Sequence, residues 1–434
     1  MSEILSRVRR KPVLALLLIG LIAVIVGTTA ALPEKSSTTD PIPADPLAAQ
    51  IAQMRGQLDR VPGNATGWAA LGAAYVELAR ITGDPENYGQ AQRALDRSLE
   101  LKPDENAEAL IGLGALTNAL HDFTAARGHA EQALMLRPNS ADVYGILIDA
   151  LTQLGEADAA TAAVQRMLDL RPGVPSFTRA AYDLELRGRT DDAREALQMA
   201  LAAATTVDQI AFCRYHLGEL AFNTGNLDEA ESQYRSGILA NPDNVALQQG
   251  MAKVLAARGD VEPAIAQYTA LTTRAPLPEY LIEFGELLDS AGRPDAAAAK
   301  YREVSDQFRR LEEQGATEYL DAALLAADHG DPVEAVRLAR LEFDRRQSIL
   351  TADGLAWALH KAGRDDEAIG YADRAAALGW RSAALAYHRG MILAALGRTD
   401  EAAAALTDAL RTNPNFSPLH APRAQRALDS LISR

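Results

Sequence analysis

Apolar and polar positions divide this chain into an uncharged run at Val13–Leu32, a Pro/Ser/Thr-rich stretch at Pro33–Pro46, and a long region of recurring apolar blocks. The first run, VLALLLIGLIAVIVGTTAAL, is twenty residues long. As a helix it would span about 30 Å, the thickness of a bilayer's hydrocarbon core. Arg7, Arg9, Arg10 and Lys11 precede it, so the positive-inside rule leaves residues 1–12 in the cytoplasm and everything after residue 32 outside. A cleaved signal peptide, with Val13–Val26 as its apolar core and Thr28-Thr29-Ala30 as its cleavage site, is the alternative, and it would give a secreted chain. No Cys stands at the end of the run, which excludes a lipoprotein anchor. Residues 33–46, with four prolines among fourteen residues, read as a spacer.

From Ala65 onward the chain repeats. Gly-X-X-X-X-Ala strings place alanines at 193, 230, 264, 297, 335, 368 and 402, and the same register extends back to Ala160, Ala126 and Ala91. The spacings run from 33 to 38 residues and define ten units. Each unit reads as two helices joined by a turn. The Gly supplies a left-handed C-cap, a neighbouring Asp or Asn caps the second helix, and the small Ala lets two backbones approach. Pro103, Pro138, Pro172, Pro242, Pro276 and Pro414 end second helices. Extra residues at Thr82–Tyr88, Thr205–Gln209 and Arg309–Gly315 are expected to lengthen a helix or loop without breaking the stack. After Pro414, Pro422 is expected to start a final helix with Ala424, Ala427, Leu428, Leu431 and Ile432 on one face, covering the last repeat. The domains are therefore residues 1–12, 13–32, 33–46, a repeat region 47–416 and a cap 417–434.

Composition narrows the chemistry. The net charge of −15 argues against nucleic acid, whose binders need clustered Lys and Arg. Cys213 is the one cysteine, so an internal disulfide is excluded, and neither a CxxC nor an HExxH occurs. The dyads Asp191-Asp192 and Asp365-Asp366 fall at interhelix turns and read as helix caps, not paired acids. The histidines are scattered, and the glycines follow helices instead of cradling a phosphate. No catalytic constellation, cofactor, metal or small-molecule substrate is expected.

Trp68, Leu71, Gly72 and Tyr75, with Leu110, Leu113, Gly114 and Thr117 one unit later, resemble the tetratricopeptide repeat signature W-x2-L-G-x2-Y, and the likeness runs from Ala65 to about Phe416. It implies an all-α solenoid of about ten helical hairpins, with first helices on a concave face that takes peptides. With units starting at 65, 107, 141, 174, 211, 245, 278, 316, 349 and 383, positions 2, 5, 9 and 12 are expected to face that groove. Nine of these forty residues are acidic, namely Glu108, Asp142, Asp149, Glu185, Glu219, Glu279, Glu286, Asp289 and Asp353, while Lys253 alone is Lys or Arg. A basic peptide is the partner this tilt suggests, although solvated helix faces also carry carboxylates. Phe212, Tyr215 and Phe222, and Trp357, Tyr387 and Met391, are the apolar groove candidates, with packing against a neighbouring repeat or the cap as their competing role.

Two subsidiary likenesses qualify the reading. Asp45–Pro103 is similar to the repeat region of cytochrome c maturation proteins that hold apocytochrome, and Arg345–Pro414 is similar to the ends of many bacterial repeat proteins of unassigned role. The expectation is a membrane-tethered, extracytoplasmic scaffold that binds protein segments and catalyses nothing. Its alternative is an assembly factor for an exported client such as apocytochrome c.

Overall fold

A computed structural model describes residues 46–82, 84, 86–313 and 319–433. The expected anchor at 13–32 and most of the spacer lie outside these residues. Among the described residues no helix is long and apolar enough to cross a membrane, and all regular structure is helical, in 22 helices. α1 (Pro46–Arg60) leads into ten antiparallel hairpins. These are α2 (Ala65–Thr82) with α3 (Glu86–Leu101), α4 (Ala107–Ala119) with α5 (Phe123–Leu136), α6 (Ala141–Gln153) with α7 (Ala157–Leu170), α8 (Val174–Leu186) with α9 (Thr190–Ala203), and α10 (Val207–Asn223) with α11 (Leu227–Ala240). The second five are α12 (Val245–Ala257) with α13 (Val261–Arg274), α14 (Pro278–Ser290) with α15 (Pro294–Glu313), α16 (Tyr319–His329) with α17 (Pro332–Arg345), α18 (Ile349–Lys361) with α19 (Asp365–Ala376), and α20 (Ala383–Ala395) with α21 (Thr399–Thr412). α22 (His420–Ile432) caps the array.

First helices begin at 65, 107, 141, 174, 245, 278, 349 and 383, as the repeat register requires. α10 starts four residues before 211, so the Thr205–Gln209 insertion becomes one more helical turn. The inserted residues at 309–313 likewise lengthen α15. The unit alanines are all buried, with Ala126, Ala230, Ala264, Ala335, Ala368 and Ala402 at 0% exposure. Each fills the closest approach of two helices, where a larger side chain would force them apart.

Turn chemistry departs from expectation at several points. Gly155, Gly188, Gly225, Gly259, Gly292, Gly363 and Gly397 do adopt positive φ after first helices, but Gly330 does not, and in unit two His121 takes that conformation at φ 60°. Asn226 and Asp331 cap second helices through their side chains, whereas the N-cap residues before α9 and α19 are Arg189 and Arg364. Asp191-Asp192 and Asp365-Asp366 therefore lie inside the first turn, where negative charge complements the helix dipole. They also pair locally, Asp192 with Arg189 at 2.7 Å, Asp191 with Arg194 at 2.6 Å and Asp365 with His360 at 2.5 Å. The cap helix begins two residues ahead of Pro422; it buries His420, Ala421, Ala424 and Leu428, while Ile432 is 71% exposed.

The solenoid winds tightly enough to meet itself. Arg345 donates to the Leu120 carbonyl at 3.2 Å, and Arg346 donates to Gln153 at 2.8 Å while lying 5.7 Å from the Phe123 ring centre. Asn413 donates to the Phe222 carbonyl at 2.8 Å across 191 residues of sequence. The hairpin turns of units two to five thus abut the joints that follow units eight to ten. A Cβ built on Gly155 would stand 2.3 Å from the Gln347 carbonyl oxygen, and one on Gly188 2.3 Å from that of Gly379. This seam closes the concave face into an interior.

Candidate functional site

The interior has three stretches. In the first, units one to five enclose a groove of about 610 Å³ whose lining includes Tyr88, Asp149, Arg179, Tyr182, Glu185, Phe212 and His216. Phe212 is 45% exposed and Tyr182 37%, so both aromatics present free apolar area to the groove. The Phe212 ring meets His216 edge-on at 4.4 Å. Arg179 grips Asp149 through two bonds of 2.8 and 2.6 Å. Burial pushes the Glu185 carboxyl up to about 6, against a hydrogen bond from Trp380 across the seam.

The second stretch, on units five to seven, is a ladder of buried polar contacts. Glu219 accepts from Tyr234 at 2.6 Å and from Lys253 at 2.8 and 3.0 Å, and the Lys253 ammonium lies 4.5 Å from the Phe222 ring centre. Glu283 accepts from Gln249 at 2.8 and 2.6 Å and from Tyr268 at 3.0 Å. Tyr215 lies 6.4 Å from Tyr234 and packs beside the same core. Glu286 accepts from Ser417 at 2.9 Å. Its pKa is raised to about 7 by burial, reinforced by Asp328 and Glu283 and opposed by the Ser417 bond and Arg423. A cavity of about 520 Å³ separates this ladder from residues 414–418, which cross in front of it.

The third stretch corrects the sequence reading. Trp357 and Tyr387 are each 2% exposed and are not groove contacts. Trp357 donates to both Asp328 oxygens at 3.2 Å and stacks on His388 at 4.1 Å, while His388 reaches Asp353 at 2.9 Å. Tyr387 packs against Phe416 and His420 beneath the cap, and Met391 packs partly buried against the same core. Phe222, 5% exposed, is likewise mostly core, with one edge on the 520 Å³ cavity.

Four of the nine acids expected on the groove face are neutralised by an Arg or Lys. Glu108 pairs with Arg137, Asp142 with Arg171, Asp149 with Arg179, and Glu219 with Lys253. Glu185, Glu279 and Asp289 have no cation at ion-pair distance among the described residues. Sequence reasoning missed positions 6 and 13 of the first helices, which supply Arg179, His216, Glu283, His388, Asp328 and Lys361. It also missed the 413–420 segment. A signal was available for the arginines. Glu108–Arg137, Asp142–Arg171 and Asp158–Arg187 are 29 residues apart, Asp149–Arg179 and Asp228–Arg258 are 30, and Glu262–Arg293 are 31. An acid followed 29 to 31 residues later by Arg is thus a periodic bridge, within one unit for Glu108–Arg137 and Asp142–Arg171 and between neighbouring units for the other four pairs.

Cys213 is fully buried, and burial pushes its thiol up to about 11, which makes it inert.

Fold and interior together define a helical-hairpin repeat solenoid with a lined concave face. Three family models, each describing the tetratricopeptide repeat, match residues 117–180, then 178–245, 215–277 and 250–309, then 383–416. Together they cover just over half of the chain, and it belongs to the tetratricopeptide repeat family. A relative, cellulose synthase 1 operon protein C of Komagataeibacter xylinus, is 24% identical over 197 residues. That match covers 45% of this chain but only 13% of the relative. Among solved structures, a thermophilic tetratricopeptide repeat protein of Thermus thermophilus is 23% identical with TM-score 0.37, covering 42% of this chain and 97% of its own. Pseudomonas aeruginosa pilF is 18% identical with TM-score 0.39, covering 48% of this chain and 93% of its own.

Proposed function

We propose that this chain is a non-catalytic interaction scaffold that holds a polypeptide segment against the inner face of units one to five. The observation that carries this reading is the groove of about 610 Å³ in which Phe212 and Tyr182 stay exposed. Rigid aromatics in a preformed concavity bury a ligand's apolar area at low entropic cost, and the Arg179–Asp149 fork beside them offers polar anchoring. A basic residue in the ligand would find Glu185, which lacks a cationic partner among the described residues. The uncharged run Val13–Leu32 behind its basic flank supports an anchor in the cytoplasmic membrane, with the solenoid outside the cytoplasm. The resemblance of Asp45–Pro103 to cytochrome c maturation proteins supports the second reading, an assembly factor for an exported client. A photo-crosslinking side chain placed at 182 or 212 should trap a partner that one placed at the outward-facing 135 or 239 does not. Equal trapping from all four positions would sink the groove reading. Retention of CxxCH peptides would favour the second reading over the first.

A further inference from the structure

Residues 413–419 do not lead straight from the last repeat into the cap; they form an irregular, turn-containing strap across the inner face of units five to seven. Asn413, 1% exposed, fixes one end by donating to the Phe222 carbonyl, while its own side-chain oxygen accepts from the Asn415 amide at 2.8 Å. Phe416 lies 5.6 Å from the Tyr387 ring, and Ser417 donates to Glu286. The strap's sequence is Asn-Pro-Asn-Phe-Ser-Pro, and its two prolines fix φ and remove backbone donors at positions 414 and 418. A short segment pinned by an amide, an aromatic ring and a hydroxyl has the contacts of a peptide lodged on a receptor.

It is an underfilling occupant. About 520 Å³ stays open between the strap and a floor that includes Phe222, Tyr268, Glu283 and Glu286, room for side chains larger than those the strap supplies. The floor is acidic. Lys253 is bonded to Glu219 and its charge also acts on Glu283, whose hydrogen-bond donors are the neutral Gln249 and Tyr268. Glu286 faces Ser417, with His420 3.8 Å away and kept neutral at ordinary pH by burial, and with Asp328 and Arg423 acting from greater distance. Gln249 Oε1, on the side chain that bonds Glu283, is buried without a donor.

We propose that residues 413–418 are an internal pseudo-ligand, and that the surface they cover takes a partner segment of related chemistry. That segment is a proline-flanked aromatic with a basic residue where the strap has Ser417, opposite Glu283 and Glu286. The inference rests on the reading of the interior as a peptide-holding surface, but it concerns a different stretch of it from the groove at Phe212.

The test uses the full chain and a labelled synthetic peptide copying residues 412–422. In the full chain, Asn413→Ala with Ser417→Ala loosens the strap, and Phe416→Ala is an independent loosening variant that leaves both polar contacts in place. Fluorescence anisotropy should show the peptide binding each loosened chain about tenfold or more tightly than the unaltered one, whose site is mostly covered. A Ser417→Lys peptide should bind more tightly still, with an affinity that falls as salt rises, and a Phe416→Ala peptide should lose binding. No binding to any chain, equal binding to loosened and unaltered chains, or indifference to the peptide's Phe would overturn the inference. Crosslinking from position 212 reports on the other groove. If it persists while strap competition fails, this inference falls alone; if it fails while competition holds, the first reading falls alone.

Discussion

Closure of the solenoid on itself can be tested with glycines that share one backbone conformation and differ only in what faces them. Gly155, Gly188, Gly259 and Gly363 have φ of 77°, 68°, 83° and 72°. Substitution by Ala at any of them incurs the left-handed penalty of about 1–2 kcal/mol. At Gly259 and Gly363 nothing lies within 4 Å of the added carbon, so that penalty is the whole effect. At Gly155 and Gly188 the carbon would meet a backbone carbonyl oxygen of the opposing edge at 2.3 Å, well inside van der Waals contact, and no side chain can rotate away. Overpacking of this kind adds about 1–3 kcal/mol, for a total of about 2–5 kcal/mol. Gly225, whose Cβ would stand 3.1 Å from the Thr412 oxygen, should fall between the two groups. Because repeat arrays can open in parts, denaturation midpoints should be paired with small-angle X-ray scattering. Gly155→Ala and Gly188→Ala should enlarge the radius of gyration at unchanged helicity, and together they should cost less than the sum of the two, since one opening relieves both clashes. Equal midpoints and equal dimensions for the Gly155 and Gly363 variants would show that the edges do not meet in solution.

Two further outcomes follow from the buried ladder. Lys253→Met should cost about 3–5 kcal/mol, because it leaves Glu219 without its cation in a site where both side chains are at most 20% exposed; Glu219→Gln added to it should restore most of the loss, and a double variant as unstable as the single would refute the pairing. Folding raises the Glu286 pKa from 4.5 to about 7, so the folded chain holds that proton more tightly than the unfolded one. The associated stability is complete below about pH 4.5 and is lost as pH rises through 7. Glu286→Gln should therefore change the melting temperature little at pH 5 and raise it at pH 8, by at most about 3 kcal/mol in free energy, and a pH-independent difference would contradict the assigned burial.

The repeat was legible because its determinants are local. A small residue at the helix crossing, a turn residue before it and a proline after it recur within one unit. Ten hairpins follow from those marks without knowledge of how the units curve. Errors at this level were also local: Gly330 was assigned the conformation of its six counterparts, and Arg189 and Arg364 occupy cap positions that the adjacent aspartates were expected to fill.

The interior was legible only where one repeat suffices to define it. Phe212 and Tyr182 sit at groove positions that the register alone specifies, and they do face open space. Trp357 and Tyr387 occupy equivalent positions in later units, yet they are buried, because the cap helix and the strap fold back over them. The same superhelical closure brings Phe222 to Asn413, Gly155 to Gln347 and Glu286 to Ser417, pairs separated by 131 to 192 residues that no periodic pattern connects. Curvature is a small rotation per unit summed over many units, so a slight error in it leaves every local contact intact and moves the seam by a whole residue. The acids show the same limit from the other side. Counting carboxylates on one face predicts a negative groove, but Glu108 and Asp142 are met by an arginine of their own unit, Asp149 by an arginine of the next and Glu219 by a lysine of the next. At Glu286 the stack meets the strap, and there the chain's own Ser417 stands where the proposed partner's residue would.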